Sequence, residues 1–284
     1  MNKLSAERRT AVIHALVEGN SIRATCRMTG TAKGTVLSLL AQIGDACSRF
    51  HDQTVRGLTA KRVQCDEIWS FTYAKARNVP PELQGKEGIG DTWTWVGLDA
   101  DTKLAIAYRV GDRGPDTAIP FVKDLASRLA NRVQLTTDGH SVYLTAVERA
   151  FGWNGVDYSM LVKLYASDRG AGIRYSPPVC IGAEKTHIMG RPVRRDVSTS
   201  YVERQNLTLR MQMRRFTRLT NAFSKKVQNH AYAVALHFLH YNFCRPHHTL
   251  TKAAKGIYRT PAMAAGLTDR VWTVGDVVGL LDSN

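Results

Sequence analysis

Three acidic residues stand where a carboxylate needs a physical reason. Asp66, in Cys65-Asp66-Glu67-Ile68-Trp69, falls inside a stretch where Val63, Cys65, Trp69 and Phe71 alternate with Gln64, Asp66, Ile68 and Ser70, a strand pattern. Aspartate is disfavoured inside strands, so it calls for a partner: a bound cation, a salt bridge or an edge position would each serve. Asp138 ends a second alternating stretch, Arg132–Asp138, in Thr136-Thr137-Asp138-Gly139-His140. Asp-Gly is turn chemistry, yet the carboxyl end of a strand is also where α/β folds build ligand sites. Glu203 opens a helix, Thr199-Ser200-Tyr201-Val202-Glu203-Arg204-Gln205-Asn206, where a glutamate ordinarily serves capping or the helix dipole. Arg210, seven residues on, returns to nearly the same helical face, offset by about 20°. A carboxylate and a cation on one face can hold a metal ion and the phosphate beside it. The plainer alternative is a solvated basic helix, since Arg204, Arg214, Arg215 and Arg218 crowd the same segment.

The elements that must position these residues follow from periodicity. After Lys61 comes the Asp66 strand, then a hairpin of Thr92–Asp99 and Lys103–Val110 joined at Asp99-Ala100-Asp101-Thr102. A helix at about Asp116–Ala130 follows, with Pro115 near its start, then the Asp138 strand, a helix over Val142–Phe151 and a strand over Ser159–Tyr165. The run is β-β-β-α-β-α-β, an α/β class with a mixed sheet. By strand alternation Glu67 points to the opposite face from Asp66, and the hairpin turn accounts for Asp99, so both are reserve acids. Residues 166–198 carry little periodicity and read as an irregular insertion. Helices over Thr199–Arg215 and Ser224–Phe243 complete a core at 61–250, with 251–284 a C-terminal tail.

Ahead of this core, residues 1–50 form a separate N-terminal unit, with 51–60 as linker. Three short helices are expected there, capped by Ser5, Ser21 and Thr31, the last carrying Val36, Leu39, Leu40 and Ile43 inward. The second and third helices flank Thr29-Gly30, a helix-turn-helix pattern. Lys33, Thr35 and Ser38 would then face a DNA groove and Arg23 and Arg27 clamp phosphates. A generic three-helix bundle with a polar face is the alternative.

Composition narrows the partner. The 284 residues hold 39 Lys and Arg against 24 Asp and Glu, a net charge of +15, which points to a polyanion. Lys61, Arg62, Arg204, Arg214, Arg215, Arg218, Lys225 and Lys226 are candidate contacts to a phosphate backbone. The five cysteines are scattered with no C-x-x-C pair, so neither a disulfide framework nor a zinc site is supported, and each is expected to be a small buried residue. No segment approaches the ~20 consecutive apolar residues of a membrane span. A cytoplasmic, nucleoid-associated protein is expected.

Taken together, the segments around Asp66, Asp138 and Glu203, with Tyr241-Asn242-Phe243-Cys244-Arg245-Pro246-His247, resemble insertion-sequence transposases of the DDE class, whose catalytic core is ribonuclease-H-like. The likeness covers nearly everything from residue 61 to about 270. It implies that Asp66, Asp138 and Glu203 ligate two Mg²⁺ or Mn²⁺ ions, that Arg210 is the basic position following the glutamate, and that His140 and Asn206 assist. It further implies binding to double-stranded DNA at element ends and target, strand cleavage followed by strand transfer, and a dimer or larger homo-oligomer. The spacing of 65 residues from Asp138 to Glu203 exceeds the short spacing of retroviral integrases. Two alternatives share these features: a structure-selective DNA nuclease on the same fold, and a non-catalytic DNA-binding repressor.

Overall fold

The computed structural model of the chain describes residues 4–165, 180–217 and 222–282. At its centre is a six-stranded mixed sheet of order β3-β2-β1-β4-β5-β6. The strands are β1 (Arg62–Thr72), β2 (Gly90–Asp99), β3 (Ala105–Gly111), β4 (Gln134–Asp138), β5 (Asp157–Tyr165) and β6 (Cys180–Met189). β1 runs antiparallel to β2 and parallel to β4, and β4 runs parallel to β5. The expected β-β-β-α-β-α-β order is present, with α4 (Pro115–Ser127) and α5 (Val142–Phe151) as its helices. β6 is the difference: part of the segment expected to be irregular, 166–198, pairs antiparallel with β5 as a regular strand. Its larger apolar residues fall in adjacent pairs near the two ends and adjacent Glu184 and Lys185 put charge on both faces, so no alternation betrays it; residues 166–179 lie outside the described set.

Helices cover both faces of the sheet. Tyr143 of α5 reaches Glu67, and Leu125 of α4 packs toward Gly97 and Cys65, on one face. On the other, α6 (Ser200–Gln212) meets Gln64 and Asp66, while His230 of α7 (Val227–Leu239) meets Ser70. The helix expected to reach Arg215 stops at Gln212, where Met213 turns extended, and α7 passes into a wider turn over His240–Cys244 before Pro246.

The N-terminal helices are α1 (Ala6–Val17), α2 (Ile22–Thr29) and α3 (Lys33–Thr54). Ser5 and Ser21 cap the first two, accepting from Arg8 N and Ala24 N, and Gly30 turns left-handed at φ 62° between α2 and α3. Thr31 is not the third cap: Ala32 holds that position, without a side-chain bond. Nor is 51–60 a linker. α3 continues to Thr54, Val55, Leu58 and Ala60 are buried, and Leu58 pairs with Leu129. The apolar face of α3 therefore extends into the sheet's core, and α3 packs along α7 with Gly44 against Tyr232.

Residues 251–284 are likewise no loose tail as far as Asp282. α8 (His248–Ala253), α9 (Pro261–Ala264) and α10 (Val274–Gly279) fold back, Val277 and Val278 join the core, and Asp282 pairs with Arg9 of α1 at 2.9 Å. Trp272 lies against Phe50 and Phe243, ring centroids 5.0 Å from each. The cysteines are all free; Cys47 and Cys65 are buried as expected, but Cys180 is exposed on β6. Among the described residues no helix is long and apolar enough to cross a membrane.

Candidate functional site

Sheet register brings the first two acids together. β1 and β4 pair in parallel as far as Cys65 and Thr137, so Asp66 and Asp138 are the next residue on each strand and share a face. β4 ends there, and Glu67, which alternation sends to the opposite face, reaches the same place past its end. One oxygen each from Asp66, Glu67 and Asp138 lie within 4.8 Å of one another. Alternation describes a continuous sheet and not the end of a strand, so the sequence alone does not place Glu67 with the aspartates.

Each acid is held. Asp66 Oδ1 accepts from the Glu67 backbone N–H at 2.9 Å, and its Oδ2 from Asn206 Nδ2 at 2.8 Å. Asp138 Oδ1 accepts from the His140 backbone N–H at 3.1 Å, and the His140 ring stacks on Trp95 with Nε2 3.0 Å from the Arg113 carbonyl. Of the two residues expected to assist, Asn206 thus contacts Asp66 through its side chain and His140 contacts Asp138 through its backbone N–H. Glu67 is wholly buried and engaged at both oxygens, by Arg113 Nε at 2.8 Å and Tyr143 Oη at 3.2 Å, with Arg113 lying 4.5 Å over Trp93.

Glu203 lies across the same pocket, of about 680 Å³, which Arg210, Lys163 and Thr199 also line. It does not join the close set of oxygens. Instead Thr199 Oγ1 donates to its Oε1 at 2.6 Å and Lys163 Nζ pairs with its Oε2 at 2.5 Å. Lys163 stands two residues beyond Leu161, the register partner of Asp138, so strand alternation on β5 carried the signal for it; Arg113 sits in an aperiodic loop and left none. Gln64 Oε1 accepts from the Tyr201 and Val202 N–H groups at 2.9 and 3.1 Å, capping α6 in place of Thr199 and fixing the helix that carries Glu203 and Asn206.

The electrostatics are those of crowded anions. Burial, then the Glu67 and Asp138 charges, push Asp66 up to about 7. Burial and Asp138 also raise Glu67, against the pull of Arg113. Hard oxygen donors, mutually repelling and partly desolvated, suit a divalent cation, which would stabilise the ionised forms that the protein alone resists.

The candidate DNA contacts divide. Arg23, Arg27, Lys33, Thr35 and Ser38 are all exposed on α2 and α3, and Arg204 and Arg214 on and after α6, as are Lys61, Lys225 and Lys226. Arg210 belongs to the acidic pocket. Arg62 is paired with Asp101 and Asp196. Arg215 is only half-exposed and donates from Nε to Ser224 Oγ at 2.7 Å, because the helix ends before it and the chain turns inward; Arg218 lies outside the described residues. No protein family and no curated protein matches the chain in sequence.

Proposed function

We propose that the chain is a metal-dependent polynucleotidyl transferase, a DDE-class transposase that cleaves and joins DNA strands, built on a ribonuclease-H-like core with a helix-turn-helix at its N-terminus. The observation that carries the reading is the convergence of Asp66 and Asp138, from adjacent parallel strands, with Glu203 and Arg210 on the facing helix of one pocket. The sheet order and flanking helices are compatible with that core.

Asp66 and Asp138 would hold the ions in common, with Glu203 as third ligand once Lys163 gives way. Two Mg²⁺ or Mn²⁺ ions there supply activation of an attacking oxygen and stabilisation of a leaving oxygen in displacement at phosphorus. The chain's own groups do the rest. Asn206 and the Glu67 N–H fix Asp66, the His140 N–H fixes Asp138, and Arg210 and Lys163 offer cations to the phosphate's free oxygens. Exposed Arg23, Arg27, Lys33, Thr35 and Ser38 would meet the duplex on α2 and α3.

The test is an assay with a donor plasmid carrying the gene and its native flanking DNA, a target plasmid, and Mg²⁺ or Mn²⁺. Joined products are expected, lost with chelator and lost in Asp66→Asn, Asp138→Asn and Glu203→Gln, while DNA binding survives in all three. Cleavage without joining at any target concentration would make the protein a nuclease, and binding with neither would make it a repressor.

A further inference from the structure

A second cavity, of about 560 Å³, lies between the N-terminal helices and the junction of α6 with α7. Its size is that of sites for small organic ligands, about 300–1,000 Å³. Leu16, Leu37, Leu40, Met213 and Leu236 make its walls apolar. Among the described residues five cations line it, Arg23, Lys33, Arg214, Arg215 and Lys225, and no carboxylate does.

Two groups in this lining are incompletely satisfied among the described residues. Arg215 is half-buried and bonded to Ser224, yet no carboxylate pairs with it among the described residues, and burial lowers its pKa to about 10. His237, 5% exposed, has an Nε2 with no hydrogen-bond partner among those residues. A desolvated cation without a counter-charge and a buried ring nitrogen without a bond are both destabilising, and an anion with hydrogen-bonding edges relieves both. Phe223 lines the same space, backed by Phe71 at 5.1 Å between centroids, and gives a planar group a surface to stack on.

We infer that this cavity binds one nucleotide unit, its phosphate among Arg214, Arg215 and Lys225 and its base between Phe223 and His237. An unstacked nucleotide of a DNA strand fits better than a free one. Arg23 and Lys33 line the cavity and are also exposed, as are Arg27, Thr35 and Ser38 on the same two helices, so a strand bound along α2 and α3 passes the mouth. This identification of the source rests on the DNA-binding reading above.

The test uses the full chain without divalent metal and fluorescence anisotropy of three labelled probes: (dT)12, an abasic 12-mer and a 12-base-pair duplex. The thymine oligonucleotide should bind at least about tenfold tighter than the abasic one, the range expected of a stacked base. Phe223→Ala should erase that difference and leave duplex affinity unchanged. Exposed Arg214→Glu, the safer variant for folding, should weaken (dT)12 and reduce competition by dTMP against it. Competition by dTMP at its own concentration as strong as by (dT)12 would keep the nucleotide site and assign it a free ligand. Equal affinity for the two 12-mers, with duplex still bound, overturns the cavity's role alone; no binding of any probe overturns the DNA reading with it.

Discussion

Glu67 and Glu203 are both candidates for the third ligand of the proposed metal site, and their burial differs. Both Glu67 oxygens already accept, from Arg113 and Tyr143, and its side chain has no exposed surface. Glu203 also accepts at both oxygens, from Thr199 and Lys163, but its side chain and that of Lys163 are each about a third exposed, at 37% and 33%. Glu67→Gln removes a neighbouring charge but keeps a hydrogen-bonding side chain of the same shape, so it should leave metal-dependent cleavage measurable, whereas Glu203→Gln should abolish it. The reverse order in a plasmid cleavage assay would make Glu67 the third ligand. Asp66 gives a prediction about stability. Its folded pKa, about 7, lies above the usual 3.8, so the folded protein binds the extra proton between those values. Its contribution is fully present below about pH 4 and is lost as pH rises through about 7. The full shift corresponds to a ceiling of about 4 kcal/mol, cut to roughly 2 kcal/mol for partial solvent screening. Asp66→Asn stays neutral, and Asn206 Oδ1, without a hydrogen-bond partner among the described residues, can receive its amide. Metal-free Asp66→Asn should thus lose less thermal stability than the parent between pH 5 and pH 8; parallel melting curves in pH would refute this.

Among elements, the crossing of α3 on α7 depends on Gly44. A Cβ there would lie 2.4 Å from the Tyr232 Cβ and 2.6 Å from its Cα, closer than packed atoms approach. In an isolated helix Gly→Ala would be favourable by about 1 kcal/mol. Here Gly44→Ala should instead destabilise by roughly 1–3 kcal/mol, the usual cost of overpacking, and a rise in melting temperature would show the crossing to be looser than it is. Nothing in the sequence marks Gly44, because a close approach belongs to two segments at once. What is local was legible: the period-2 runs of β1 and β4, the turn that joins β2 to β3, the amphipathic α4, the caps at Ser5 and Ser21. What depends on neighbours was not. The cap of α6 comes from Gln64, on a strand 137 residues away from Tyr201. β6 has too little alternation to announce itself, and Glu67 reaches Asp138 only because β4 stops.

At the scale of the molecule, charge and core pull in different directions on where the chain divides. The exposed cations of α2 and α3 form a surface distinct from the acidic pocket, which favours two units. The core does not divide: one continuous cluster runs from Val12 and Ile13 through Ile43, Val63 and Tyr143 to Val277. α3 carries core residues at its start and its end, and Trp272 from beyond the last strand packs on Phe50 of α3. A break between residues 50 and 61 would expose Val55, Leu58 and Ala60, all buried. Unfolding should therefore be a single event for helices and sheet, and the tryptophans allow a clean check. All five lie beyond residue 60, so their fluorescence follows the sheet and the C-terminal segment, while far-UV circular dichroism also follows α1 to α3. The two melting curves should superimpose. Ile43→Ala, at a site with no exposed surface, should lower both midpoints equally, by the equivalent of about 2–4 kcal/mol. A variant whose dichroism midpoint fell while its fluorescence midpoint stayed would show that the N-terminal helices melt on their own, and that the shared core contributes contact without cooperativity.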